Sequence, residues 1–405
     1  MKNRRGIFFL LLLISFSSSV FASISNIQKQ FIKAGLSEKI SIIQSLSADE
    51  TVSVCLKSLD FSIENAPVLG NDADLVKLTQ ATVLALPSGD AEINKINSAD
   101  RIQISEKFMT VFKLFKNLEL RSEIMKKLEC YSGDDKTMTV SFLNDYLASA
   151  FKANESEENV LEDAIVTIGK IGNEESLSII YNIWVTKIWE KFHDSTDAAL
   201  VSLSQDSFGD AIRIFSGSEI EDSAHYFSLL HKSDKISQNS LCQIAENALL
   251  IAINNAENLS AKNEASEKAF VRFQLETHDV LTGHKWSHAS SVINSNVVLA
   301  KKFYEKGAMD EKDFVKIIGT CPQIPSPQLA QSLTDMLSEC NGKVEIVSSD
   351  AKNEMPARSV VLALIKALGE MGDKTAFDTL LAVTYLPYPL DVIDEAKKSL
   401  AALNW

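Results

Sequence analysis

Glycine and proline are scarce in this chain, 15 and 8 among 405 residues. They fall between segments of apolar periodicity instead of within them, which is how a helical protein is punctuated. Strict apolar–polar alternation is nearly absent as well, which argues against a sheet-built fold. The one exception is KVEIVSS, Lys343 to Ser349. Catalytic signatures are missing too: there is no GxSxG, no GxGxxG and no GxxxxGK[ST]. The formal charge of -14 gives a surface that repels phosphate backbones and anionic headgroups, so nucleic-acid binding is not expected.

Cysteine is sparse. Cys55, Cys130, Cys242, Cys321 and Cys340 show no CxxC and no metal-type spacing, and most stand inside apolar helical patterns. Buried thiols are the expectation, because a chain this long needs no disulfide staples. Long apolar runs are lacking after the first residues. There, Lys2, Arg4 and Arg5 precede IFFLLLLI, Ile7 to Ile14, and Val20 and Ala22 stand where a signal peptidase reads. The three regions of a secretory leader are in order over residues 1–22. The apolar run is well short of the roughly 20 residues that span a bilayer. The expectation is an exported protein, periplasmic or extracellular, with no integral membrane span after cleavage.

What the sequence has in abundance is helix. Successive segments of roughly 12 to 20 residues are joined by short polar connections. Ser47 with Glu50 reads as a capping box, and Asp310 opens a helix that Gly319 closes. Ser326 and Pro327 open another that is expected to stop at Asn341 and Gly342, leaving an elaborated loop or break over 342–357.

The segments repeat. AIVTIGKIGNEESLSII from Ala164 lies over ALVSLSQDSFGDAIRIF from Ala199, matching Ile168 with Leu203, Leu177 with Ile212 and Ile180 with Phe215 at a spacing of 35 residues. VLALIKALGEMGDKTAFDTLL from Val361 is a further copy. Such spacing reads as an α-solenoid.

IGKIGNEESLSII and LGEMGDKTAFDTLL resemble the short hairpin of the HEAT-repeat family. The resemblance implies that a first helix ends at Gly169 or Gly369 and the chain turns at Gly172 or Gly372. Asn173 or Asp373 then caps a second helix that packs Leu177 and Ile180 or Phe377 and Leu380. Where the family often has an arginine, Val361 and Ile393 stand. The implied fold is all-α, a right-handed α-solenoid of stacked antiparallel hairpins over residues 23–405, serving as a scaffold. The resemblance carries over no catalytic residue or cofactor, and the expected partner is a protein or peptide.

Two local features compete with that reading. ETHDVLTGHKWSHASS gathers His278, His284 and His288 as candidate metal ligands, with the last two one helical turn apart. This gives the alternative of an envelope metal- or small-molecule-binding protein. YNIWVTKIWEKF places Tyr181, Trp184, Ile188 and Phe192 at helical spacing with Trp189 beside them, so Trp184 and Trp189 are candidate partner anchors, and core packing is the other reading. Asp72, Asp74, Asp134 and Asp135 read as helix-start carboxylates.

Overall fold

The computed structural model describes residues 26–70, 72–133, 135–153, 157–206, 208–259, 264–349 and 355–404. The expected leader at 1–22 and Asp134 lie outside the described residues. Every regular element among the described residues is helical. None of these helices is long and apolar enough to cross a membrane. The chain divides into two compact units, Met1–Ala199 and Leu200–Trp405.

The first unit holds α1 (Asn26–Lys33), α2 (Leu36–Gln44), α3 (Ala48–Leu69), α4 (Ala73–Ala85), the short α5 (Asp90–Ile93), α6 (Ser98–Leu114), α7 (Leu118–Tyr131), α8 (Thr137–Ala153), α9 (Glu158–Ile171) and α10 (Glu174–Thr186). The division falls inside α11 (His193–Asp206). Amide and carboxylate caps start many of these helices: Asp72 accepts from the amides of Asp74 and Leu75, Asn97 from Asp100, and Asn117 from Leu120. The long helices then pack on the long helix after next, and several also on their immediate successor. One row runs α2, α4, α7, α9 and the other α3, α6, α8, α10.

Between the rows the crossings are lined by small hydroxyl residues. Ser58 and Thr82 Oγ atoms lie 2.6 Å apart, and Thr79 donates to Ser62 at 2.9 Å. These side chains let two backbones approach while keeping each buried hydroxyl bonded. Two lysines close helix ends. Lys39, 3% exposed, donates to the carbonyls of Phe31 at 2.5 Å and Ala34 at 2.7 Å at the end of α1. Lys127 donates to the Leu86 carbonyl that follows α4 and to Ser88.

The second unit holds α12 (Phe208–Gly217), α13 (Ile220–Lys232), α14 (Gln238–Leu259), α15 (Glu264–Gly283), α16 (Ser290–Glu305), α17 (Glu311–Thr320), α18 (Pro327–Ser349), α19 (Arg358–Met371), α20 (Phe377–Val383) and α21 (Leu390–Ala401), with short 3-10 turns between some of them. Here α13, α15, α17, α19 and α21 form one row and α12, α14, α16, α18 and α20 the other. Ion pairs join neighbours within a row: Asp279 with Lys316, Lys301 with Glu339, and Arg358 with Asp391. Arg358 stands one turn before Val361, the position at which the resemblance looked for an arginine.

Several sequence expectations change. Gly169 and Gly369 are not helix exits: they lie inside α9 and α19, which end at Ile171 and Met371. A Cβ on Gly169 would lie 2.8 Å from the Cα of Ala199, and one on Gly369 would lie 2.9 Å from that of Ser399, so these glycines let two helices touch. The exits are Gly172, with extended backbone, and Gly372, with φ 66°. Asn173 caps α10 in a capping box with Ser176, whereas Asp373 caps a 3-10 turn, Lys374–Ala376, that leads into α20.

Neither Asn341 nor Gly342 stops α18, which runs on through Lys343 to Ser349 as helix and not strand. The Asn341 amide finds its partners outside its own helix, donating to the Thr379 carbonyl and accepting from the Tyr388 hydroxyl, each at 3.1 Å. It therefore does not compete for the backbone bonds of α18. The connection foreseen over 342–357 shrinks to the residues before Arg358, of which 350–354 lie outside the described residues. The Ser47 box does not form, since its hydroxyl bonds the Glu50 carboxylate and not a backbone amide. All five cysteines are free thiols, three of them buried.

Candidate binding grooves

A concavity of about 640 Å³ in the first unit runs between α6 and α8 with the start of α7 at its base. Successive turns of α6 contribute Glu106, Met109, Thr110 and Lys113, and those of α8 contribute Met138, Phe142, Asp145 and Ser149. The i, i+3, i+7 spacing of both sets follows from the helical period, so each helix offers one edge to the groove. Aromatic rings form the floor. Phe112 meets Phe142 edge-on at 5.4 Å and Tyr146 at 5.1 Å.

Arg121 anchors this floor. It is 5% exposed, and its guanidinium lies 4.0 Å from the centre of the Phe112 ring. Its Nη1 pairs with the Glu157 carboxylate, which also accepts from the Tyr146 hydroxyl at 3.2 Å, and its Nε has no hydrogen-bond partner. A buried charge is tolerated when it is paired and its remaining donors are satisfied, so the orphaned Nε is a departure from that rule. Lys113 and Lys116 are exposed at the rim. Lys113 lies 5.6 Å from the centre of the Phe142 ring, and among the described residues neither lysine has a carboxylate partner.

The second unit has a groove of about 610 Å³ bounded by α16, α17, α18 and α19. Tyr304 stacks on Phe314 at 4.9 Å between centroids. Lys301, however, already lies between Glu339 at 2.5 Å and Glu305 at 3.4 Å, which leaves its charge spoken for. Burial pushes the Cys340 thiol of this groove upward, away from the thiolate that would make it reactive.

The histidines do not come together. His278 is 1% exposed inside α15, where the Asn296 amide lies 3.1 Å from Nδ1 and the Thr320 hydroxyl 2.8 Å from Nε2. Burial lowers its pKa to about 4. His284 and His288 are on the surface, the first bonded to Gln238 and the second beside Trp286. Among the described residues no group of three His, Cys, Asp or Glu is placed to hold a metal ion. The histidine spacing could not reveal this, because His278 faces the core of its helix and the other two follow its end.

The tryptophans are likewise divided. The stripe is broken where α10 ends at Thr186 and Lys187 takes a left-handed conformation, φ 54°. Trp189 is 6% exposed and meets Phe151 edge-on, and Phe192 is buried too. Trp184 is half-buried and donates through Nε1 to Asp197 at 2.8 Å. Burial raises the pKa of that carboxyl, while the bonds from Trp184 and His193 act against the rise. The residues of the α6–α8 groove were not singled out in the sequence. Their signal is faint, an aromatic and a lysine side by side at Phe112–Lys113, and it becomes a site only when α8 is laid beside it.

No family model matches the chain, and neither does any curated protein.

Proposed function

We propose that this chain is an exported, non-enzymatic scaffold: a right-handed, HEAT-like α-solenoid that presents the grooves between its helices to a protein or peptide partner at the cell envelope. The observation that carries this reading is the groove between α6 and α8. Its mixture of aromatic floor and unpaired rim charges is the chemistry of a protein-binding surface, with apolar anchors ringed by polar groups. The solenoid reading draws support from the two rows in which helices pack on their next-but-one neighbours within each unit, and from the matching glycine crossings at Gly169 and Gly369. Export rests on the leader pattern of residues 1–22.

The test is chemical crosslinking in the native cell envelope, followed by purification and mass spectrometry, then reconstitution from purified components. Saturable binding of one protein at fixed stoichiometry supports the scaffold. Turnover of a substrate by the purified chain, or no partner that survives reconstitution, overturns it.

A further inference from the structure

We propose that the α6–α8 groove selects an extended peptide with an acidic residue and a basic residue about three positions apart, flanking an apolar side chain; this rests on the scaffold reading and names its partner chemistry. The protein as a whole carries a charge of -14, yet Lys113 and Lys116 stand exposed and unpaired at one end of this groove. Beneath them the Arg121 guanidinium has spent one nitrogen on Glu157 and keeps a partnerless Nε at 5% exposure. An incoming carboxylate meets two free ammonium groups over a fixed guanidinium, the setting in which charge-assisted bonds are strongest.

The rest of the groove selects against a purely acidic partner. Glu106 stands two turns before Lys113 on the same helix, roughly 10 Å at 1.5 Å per residue. Asp145, one turn beyond the Phe142 that meets Phe112 and Lys113, lines the groove nearer the lysines. Three extended residues cover about the same length at 3.3 Å each. A carboxylate at the lysine end and a cation at Glu106 are therefore matched by a peptide of that spacing. Between them lie Met109, Phe112 and Phe142, an apolar floor for one aromatic or aliphatic side chain. Met138, 42% exposed, lies on the rim and becomes covered when that side chain docks.

The experiment is selection of a random dodecapeptide display library on the purified protein, followed by fluorescence-polarisation titration of the enriched peptides. Titrations use the wild type, the Lys113→Ala/Lys116→Ala variant and a Glu106→Gln variant, all changes at exposed positions, with thermal melts confirming the fold. The expected result is a family of sequences with the acidic–apolar–basic spacing. These bind the lysine variant at least tenfold more weakly, and lose affinity when their own acidic residue is replaced by its amide. Enriched peptides without a carboxylate, equal binding to wild type and lysine variant, or full displacement by inorganic phosphate overturn the proposal. The scaffold reading fails separately, when crosslinking finds no partner anywhere on the chain.

Discussion

Gly369 and Ser399 meet so closely where α19 crosses α21 that a methyl group at position 369 would lie 2.7 Å from the Cβ of Ser399 and 2.9 Å from its Cα. Ser399 in turn donates its hydroxyl to the Ile365 carbonyl, 3.0 Å away, one turn before the glycine. Gly169 stands in the same relation to Ala199, at the same separation in sequence. Two crossings built alike are what a repeating helical unit produces, and both need the absence of a side chain.

Gly369→Ala therefore destabilises the protein, although alanine favours helix. The Ser399 hydroxyl can turn aside but its Cβ and Cα cannot, so the loss is about 1–3 kcal/mol, as for overpacked cores. Ser399→Gly in the same chain recovers part of it. Gly342→Ala is the control: this glycine is also inside a helix but has open space around it, and the change is neutral or stabilising by up to about 1 kcal/mol. Thermal melts of the four proteins check the cycle. Equal melting points for Gly369→Ala and Gly342→Ala would remove the close-crossing account.

The buried imidazole of His278 gives stability a dependence on pH. Its pKa is about 4 in the fold and 6.5 when free. Between those values the unfolded chain binds the proton and the folded chain does not. The contribution is complete above pH 6.5 and is lost as pH falls to 4, amounting to about 3 kcal/mol at 1.36 kcal/mol per unit. Asp279 acts to raise the folded value and Lys316 to lower it. Urea midpoints for wild type and His278→Asn should converge between pH 7 and pH 4.5. Parallel curves would show that His278 does not titrate across this window.

These positions also mark how far the sequence could be read. Helix order, the caps at Asp72, Asn173 and Asp310, and the inward Leu177, Ile180 and Leu380 follow from local periodicity and side chain–backbone bonding, and they stand in the structure. Gly169 and Gly369 could not be resolved as crossing residues, because a glycine inside a helix and one at its exit are the same letter until the opposing residue is known. Asn341–Gly342 misled for a related reason: the partners that hold Asn341, Thr379 and Tyr388, are more than thirty residues away in the chain. The α6–α8 groove is similarly non-local, since Lys113 and Phe142 come from different helices.

Lys39 serves as the C-terminal clasp of α1. Its ammonium lies between the rings of Phe31 and Phe61, 4.8 Å and 4.9 Å from their centres, while it bonds the carbonyls of Phe31 and Ala34. Lys39→Met keeps the apolar stem and removes the donors, leaving those carbonyls unpaired. A loss of about 1–3 kcal/mol is expected, confined to the first helices. Hydrogen exchange should quicken in Asn26–Lys33 and hold steady in α9. Unchanged exchange in α1 would exclude the clasp.

Trp189 and Trp184 separate core from interface. Trp189→Ala opens a cavity beside Phe151 and should cost about 3–5 kcal/mol, read as a lowered melting point. Trp184→Phe removes the donor to Asp197 and should cost about 1 kcal/mol. Loss of partner binding from Trp189→Ala without any change in melting point would restore that residue as an anchor.

The central claim, that a partner is held in a groove between helices, is tested most directly by site-specific photo-crosslinking in the living cell. A photoreactive residue replaces Thr110 in the groove in one strain and exposed Lys126 on α7 in another. One protein crosslinked from position 110 and not from position 126 is the predicted result. The same yield from both positions, or none from position 110, would contradict it.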